Sequence, residues 1–326
     1  MPNRRLPNKH WIYLKSEVPY RFLYLVINMQ EKLAHCGFAA LVGRPNVGKS
    51  TLLNRLVGQK LSITSRKPQT TRSHLFGIKT HKDSQIVYID TPGFQKKPAT
   101  VFNRYMNREI YNSLADIDIV IQIIEALNWT DVDSYIYNFI SKLDCPRILA
   151  INKIDRIKNK QLLLAFIREL SGEYVFNEFI PLSARTGKNT GLLETTIRNK
   201  LPPGPAFFDD DQITDRSEKF FASEFIREKL TRSLGEELPY NISVMIDTFR
   251  REKKILRIHA TIWVANESQK KIVIGKNGYV LKKIGESARK DMEKMFGKKI
   301  FLETWVKTKI KWTDNLHALK QFGYSD

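Results

Sequence analysis

Gly43-Arg44-Pro45-Asn46-Val47-Gly48-Lys49-Ser50 follows the apolar run Phe38-Ala39-Ala40-Leu41-Val42 and opens into Thr51-Leu52-Leu53-Asn54-Arg55-Leu56, which has helical spacing. A strand that ends in G-x-x-x-x-G-K-S and leads into a helix turns backbone N–H groups inward around a phosphate. Lys49 can then reach the terminal phosphates, and the Ser50 hydroxyl is set to hold Mg²⁺. The positive end of the helix favours the anion further. This stretch predicts a phosphate-binding loop inside an α/β fold, with Gly43 to Thr51 as its nucleotide contacts.

Outward from the loop, short apolar runs alternate with helical patterns between residues 37 and 200, as in a parallel sheet with crossover helices. The patterning predicts strands at 37–43, 73–80, 85–90, 117–124, 147–151 and 176–182. Helices are expected at 49–57, 101–114, 132–142, 160–172 and 190–199. Leu201-Pro202-Pro203-Gly204-Pro205 then stops the last helix, and Asp209-Asp210-Asp211 follows, so residues 201–215 read as a linker. Beyond it come a helix at 216–234, strands at 241–249 and 255–265, helical patterns at 269–274 and 279–296, and a strand at 299–307. The division expected is 1–30 as an extension, 31–200 and 216–312 as two domains, and 313–326 as a tail.

Three further strings fall at strand ends. Asp90-Thr91-Pro92-Gly93-Phe94 follows Gln85 to Ile89, so Asp90 can reach Mg²⁺ through water while the Gly93 N–H faces a γ-phosphate. Asn152-Lys153-Ile154-Asp155 follows Arg147 to Ile151, and Asp155 can accept from guanine N1–H and its 2-amino group, which adenine does not offer. Ser183-Ala184 can place backbone N–H groups on guanine O6. The crevice at strand C-termini is where open α/β sheets bind ligands. Ser65 to Arg72 forms a polar stretch able to order around Mg²⁺ and the γ-phosphate, with Thr71 completing the metal shell; loss of that phosphate would release it. Lys49, Thr71, Asp90 and Gly93 are thus the catalytic candidates. Phe94 stands where many GTPases carry a water-orienting Gln, so slow intrinsic hydrolysis is expected. Asn46 is placed to help bind K⁺ beside the phosphates.

In the C-terminal part, Gly275-Lys276-Asn277-Gly278 reads G-x-x-G between two helical patterns. That spacing lets a single-stranded backbone approach the main chain, with Lys276 on its phosphates and Lys282, Lys283 and Arg289 nearby. The order helix–strand–strand–helix–loop–helix–strand is that of an α+β KH type II fold. Ile272, Ile274, Val280 and Ile284 belong either to a base groove or to the core.

Charge agrees with a nucleic-acid partner. The formal net charge is +20, and residues 216–326 hold 24 basic against 14 acidic side chains. The two cysteines, Cys36 and Cys145, belong to no metal or redox pair and suit buried, reduced thiols. No stretch reaches the roughly 18–20 apolar residues a spanning helix needs. The first 30 residues read as a basic, aromatic arm, or as an artefact of translation starting at Met29, and not as a secretory signal.

Taken together, GRPNVGKSTLLNRLVGQKLSITSRKPQTTR, DTPGF, NKID, PLSA, VIGKNG and Ile300 to Lys307 resemble the Era family of ribosome-assembly GTPases over residues 31–312. The resemblance implies a Ras-like P-loop GTPase domain followed by a KH type II domain. It also implies slow, Mg²⁺-dependent hydrolysis of GTP to GDP, binding of the 3′ end of 16S rRNA, and a role in 30S subunit assembly. A cytoplasmic location, partly peripheral on the inner membrane, comes with it. Two features depart from the family pattern: Glu125-Ala126-Leu127-Asn128 before Trp129-Thr130, expected to alter local loop structure only, and the residues before Met29. The competing classes are an RNA-binding regulator in which hydrolysis is secondary and a membrane-surface GTPase.

Overall fold

β1 (Ala34–Val42) is the axis of the larger sheet, pairing in parallel with β3 (Ser84–Asp90) on one side and β4 (Ile119–Glu125) on the other. The structure is a computed structural model that describes residues 34–65, 67, 70–94, 100–234, 242–310, 312 and 322. The expected arm at 1–30, Arg66, Pro68, Gln69, Asn241 and all of the expected tail but Phe322 lie outside the described residues.

The sheet continues with β2 (Leu75–His81), β5 (Arg147–Asn152) and β6 (Glu178–Pro181) in the order β2-β3-β1-β4-β5-β6. β3 and β4 are buried over nearly their whole length because both faces are covered. Among these strands β2 departs from the expected parallel arrangement. It runs antiparallel to β3, with His81 opposite Ser84, since the connection through Lys82 and Asp83 is too short for a crossover. Helices α1 (Lys49–Val57), α2 (Val101–Asn112), α3 (Asp131–Ile140), α4 (Lys160–Glu173) and α5 (Thr190–Lys200) make the other connections. Three of them start at a capping side chain. Thr100 and Asn159 accept the first free N–H groups of α2 and α4, and Thr130 with Asp133 forms a capping box on α3.

Residues 201–215, expected as a linker, run along this sheet. Pro203–Gly204 (β7) pairs with the start of β1, the Gln85 side chain accepts from the N–H groups of Phe207 (2.8 Å) and Phe208 (3.0 Å), and Ile78 N–H donates to the Ile213 carbonyl. Proline-rich composition signalled the end of a helix and carried no information on these bonds.

The second sheet has the order β10-β9-β8, with β8 (Ser243–Arg251), β9 (Ile255–Val264) and β10 (Lys299–Thr308). α6 (Glu218–Ser233) precedes it, and α7 (Glu267–Ile274) and α8 (Tyr279–Phe296) form the crossover that makes β10 parallel to β9. Leu256, Ile258, Ala260 and Ile262 of β9 meet Val273, Ile284, Ala288 and Met292 of the helices in one apolar layer. Ile284 therefore belongs to the core and Val280 packs on its margin, whereas Ile272 is half exposed. Of the two thiols Cys36 is buried and Cys145 only half-buried.

Candidate functional site

The C-terminal ends of β1, β3 and β5 and the N-terminus of α1 enclose a cavity of about 750 Å³, a size ordinary for a small-molecule ligand. α1 starts at Gly48 without a capping side chain, so its first N–H groups face the cavity. Gly48 holds φ +107, and a Cβ there would meet Asn152 Nδ2 at 2.3 Å, so glycine is required on both counts. Lys49 is buried, its Nζ donating to the carbonyls of Gly43 (2.9 Å) and Arg44 (3.1 Å). Burial lowers its pKa to about 8, with Asp90 and Asp133 opposing that shift.

Hard oxygen donors converge beside Lys49. Ser50 Oγ donates to Asp90 Oδ2 (2.8 Å) and lies 2.9 Å from Thr71 Oγ1, and Ser62 Oγ also donates to Asp90 (2.7 Å). Asp90 is fully buried, its Oδ1 meets no hydrogen-bond partner among the described residues, and burial pushes its carboxyl above the usual range. The Ser50 and Thr71 hydroxyls meet at the cavity wall with the Asp90 carboxylate behind them, a set of hard oxygens that suits Mg²⁺. Gly93 closes the mouth, where a Cβ would come within 2.8 Å of the Pro45 ring.

At the far end Ser183 Oγ donates to Asp155 Oδ1 (2.6 Å), and Arg185 pairs with Oδ2 (2.6 Å). The Ser183 bond, helped by Arg185, holds the Asp155 carboxyl below the ordinary carboxylate range, against an opposing effect of burial that is larger than the Arg185 contribution. Asn152 serves as a staple. Its Nδ2 donates to the Val47 carbonyl (2.7 Å), and its Oδ1 accepts from the N–H groups of Lys153 (2.7 Å) and Ala184 (2.9 Å). One side chain thus ties together the phosphate loop, β5 and the Ser183-Ala184 loop.

Of the residues expected at the nucleotide, Pro45, Asn46, Gly48, Lys49, Ser50, Thr51, Gly93, Asn152, Lys153, Asp155 and Ala184 line the cavity, and Thr71 joins them. Gly43, Arg44, Val47, Asp90, Thr91, Pro92, Ile154 and Ser183 do not line it. Arg44 is drawn away by Asp133, with its Nε 3.0 Å from the carboxylate. Thr91 Oγ1 donates to the Leu41 carbonyl, and Asp90 stands behind Ser50. Phe94 is 1% exposed, packed against Tyr111, Tyr135 and Phe139, so the residue after Gly93 points into the core.

Ser65, Lys67 and Thr70 of the stretch expected to order around the γ-phosphate line the cavity too, and sequence reasoning missed Ile63, Thr64, Arg156, Arg185 and Arg232. Arg185 had a local signal, following the Ser183-Ala184 pair. Arg232 had none, because it comes from α6, more than 160 residues from Thr64, whose carbonyl it holds at 2.8 Å. The expected switch stretch, residues 65–72, and Thr64 just before it are bonded to α6 at several points. Thr64 N–H donates to Glu228 (3.1 Å), Arg227 donates to the Thr70 carbonyl, and Lys67 to that of Leu234. Lys60 joins Glu228 (2.6 Å) and Asp291 of α8 (2.9 Å). Glu125, expected to matter only to its own loop, accepts from Lys153 (2.7 Å), because β4 and β5 end side by side.

In the smaller sheet's crossover, Gly275 (φ 72), Asn277 (φ 50) and Gly278 (φ 76) bend the chain between α7 and α8. A Cβ on Gly275 would come within 2.4 Å of Val280. Lys276, Asn277, Lys282 and Lys283 are exposed around this bend. Arg289 lies further along α8 and is partly engaged by Glu293 (3.0 Å).

Residues 38–153 match the family described as 50S ribosome-binding GTPase, and residues 237–313 match the KH domain family. The chain is 50% identical over 295 residues to GTPase Era of Coxiella burnetii strain Dugway 5J108-111, covering 90% of this chain and all of that one. The chain belongs to the Era family of GTPases. GTPase Era of Pseudomonas aeruginosa strain LESB58 is 49% identical, with 90% and 96% of the two chains covered. Two solved Era structures superpose with TM-scores of 0.86 at 38% identity, covering 90% of this chain and all of theirs. One is a variant of Aquifex aeolicus Era bound to GDP·AlF4⁻, and the other an Era in complex with MgGDPNP and nucleotides 1506–1542 of 16S ribosomal RNA. This Era-family chain is accordingly a GTPase with a Ras-like domain and a KH domain, as the resemblance implied.

Proposed function

We propose that this chain is a GTP-gated RNA-binding factor that engages the 3′ end of 16S rRNA and assists assembly of the 30S subunit. The observation that carries the reading is the seam between its two halves: Thr64 and Thr70, beside the candidate metal donor Thr71, are hydrogen-bonded to Glu228, Arg232 and Arg227 of the helix that opens the KH part. A loop that orders around a γ-phosphate would pull on that helix, which packs against α8 behind the G-x-x-G bend. The relative solved with 16S RNA supports the small subunit as target, whereas the description of the GTPase family names the large one.

In this reading the N–H groups of residues 46–51 and the Lys49 ammonium bind the phosphates, and Gly93 N–H senses the γ-phosphate. Ser50 and Thr71 would hold Mg²⁺, with Asp90 reaching it through water; when bound, the ion neutralises charge building between the β- and γ-phosphates. Asp155 selects guanine, Lys153 flanks the base, and Asn152 positions both. Because Phe94 is turned into the core, catalysis is positional and electrostatic, and Asn46, exposed and at φ 65 on the cavity rim, is set to share a K⁺ with the phosphates. Gly275 to Gly278 with Lys282, Lys283 and Arg289 hold the RNA backbone. Peripheral attachment to the cytoplasmic face of the membrane is part of this reading, supported by the excess of 54 basic over 34 acidic residues. No described helix is long and apolar enough to cross a membrane.

The test is crosslinking of the GTP-bound protein to cellular RNA, with the sites mapped. Crosslinks should concentrate on the 3′ end of 16S rRNA and run through residues 275–283. Contacts scattered over unrelated RNAs would remove the assembly role.

A further inference from the structure

The KH sheet has a second face, turned away from α7 and α8, and its chemistry differs from that of an ordinary solvated surface. Along β9 and β10 the residues facing the helices are Leu256, Ile258, Ala260 and Ile262 with Ile300. The period of two puts Arg257, His259, Phe301, Glu303 and Trp305 on the opposite face, with Glu303 across from His259 and 3.5 Å from its Nε2. Phe301 and Trp305 are 42% and 44% exposed, although an edge strand would carry charges there at less risk of aggregation. His259 stands between them across the strand pair, its ring 6.4 Å from Phe301 and 5.7 Å from Trp305. The Arg257 guanidinium lies over the Phe301 ring at 5.1 Å. The row spans about 13 Å, four residues of strand.

The charge around this row decides what would lie on it. At its Phe301 end the β8–β9 hairpin and the turn before β10 present Arg250, Lys253, Lys254, Lys298 and Lys299, all exposed, against one carboxylate, Glu252, which pairs with Arg257 at 2.9 Å. At the other end Lys307 covers Trp263, with Phe322 on the same ring. Among the described residues the open aromatics are therefore Phe301 and Trp305, flanked by cations at both ends. Aromatic faces in series with a basic rim fit a chain that carries negative charge and π-faces together, which is single-stranded nucleic acid. The G-x-x-G bend holds about four nucleotides, far fewer than the 1506–1542 segment present with the related Era.

We propose that the outer face of the KH sheet is a second RNA-binding surface, on which Phe301, His259 and Trp305 stack unpaired bases of the strand that the G-x-x-G loop holds. The inference rests on the RNA-binding reading above and adds a site to it. The strand would turn around the β10 edge, with its phosphates drawn by Arg257 and the basic hairpin.

The test uses the full chain with a non-hydrolysable GTP analogue and two fluorescent RNAs from the 16S 3′ end. One is about six nucleotides long and matched to the loop; the other contains it within a longer single strand. Trp305→Ala and Phe301→Ala should each weaken the long RNA about tenfold and leave the short one as tightly held as before, and Trp305→Phe should restore most of the loss. Lys276→Glu should weaken both RNAs. If it does so while Trp305→Ala and Phe301→Ala change neither, the loop reading stands and the sheet surface is not an RNA site. If no variant alters either RNA, the RNA-binding reading falls as well. A wild-type dimer in sedimentation that Trp305→Ala dissociates, with RNA affinity unchanged, would assign the face to a second copy and overturn the proposal.

Discussion

Asp155→Asn separates recognition of guanine from every other property of the nucleotide site. The carboxylate is held by Ser183 on Oδ1, leaving Oδ2 with the exposed Arg185. An amide keeps an acceptor for Ser183, so the fold around it should survive. What is lost is a pair of charge-assisted bonds to guanine N1–H and the 2-amino group, each worth about 1.5–3 kcal/mol. Arg185 is an exposed partner that offsets little of this, so the loss should be about 3–4 kcal/mol, or roughly 10²- to 10³-fold in affinity. Xanthine carries a carbonyl where guanine carries the amino group, and the new amide can donate to it. The variant should therefore bind xanthosine diphosphate at least about tenfold more tightly than the wild type does. Titration calorimetry with GDP and XDP reads both changes. The same carboxyl sets the pH response. Its pKa is depressed, so the ionised form persists below the ordinary range, and discrimination should be lost only as pH falls through that depressed value. Between about pH 5 and 8 guanine preference should be flat. GDP affinity within about fivefold of wild type, or no gain for XDP, would refute the reasoning.

Gly48→Ala should displace Asn152 from Val47, destabilise the protein by about 2–3 kcal/mol in urea titrations and abolish nucleotide binding; unchanged GDP affinity would show that the 2.3 Å approach relaxes without consequence. Glu228→Ala removes a fully buried carboxylate from Lys60, Arg232 and the Thr64 N–H. Losing one member of a buried pair costs roughly 3–5 kcal/mol, but Lys60 and Arg232 are 38% and 47% exposed and regain water. A loss nearer about 2 kcal/mol is expected, together with separate unfolding of the two halves in calorimetry; a single transition of unchanged midpoint would contradict it. GTP turnover should be faster in K⁺ than in Na⁺, and Asn46→Ala should erase the difference; equal rates in the two salts with the unaltered protein would remove Asn46 as a cation ligand.

Helix bounds were most legible where the chain's own chemistry sets them. α1 and α8 run over the expected residues 49–57 and 279–296 because each begins at a positive-φ glycine and ends before another, at Gly58 and Gly297. The antiparallel β2 was less legible, since alternation is the same for either direction and only the two-residue connection decides it. Among site residues, those that act through backbone or through a neighbouring residue were readable, as with Lys49 and Asp155. Asn152 was read with the base-recognition string, but its amide nitrogen holds the Val47 carbonyl and its oxygen holds the N–H groups of Lys153 and Ala184. Phe94 was read correctly as unable to orient water, while its burial among Tyr111, Tyr135 and Phe139 depended on helices distant in sequence.

The sequence by itself determined the phosphate loop, the strings at the strand ends and the G-x-x-G bend. Their geometry is contained within a few consecutive residues, whose φ values and N–H directions the glycines dictate. The tertiary structure alone decided that Arg227, Glu228 and Arg232 grip the switch stretch, and that Arg257 and His259 meet Phe301 and Trp305 in one row. Hydrogen bonds and ring contacts between residues far apart leave no periodic trace in either segment. They exist only once packing has brought the two backbones together.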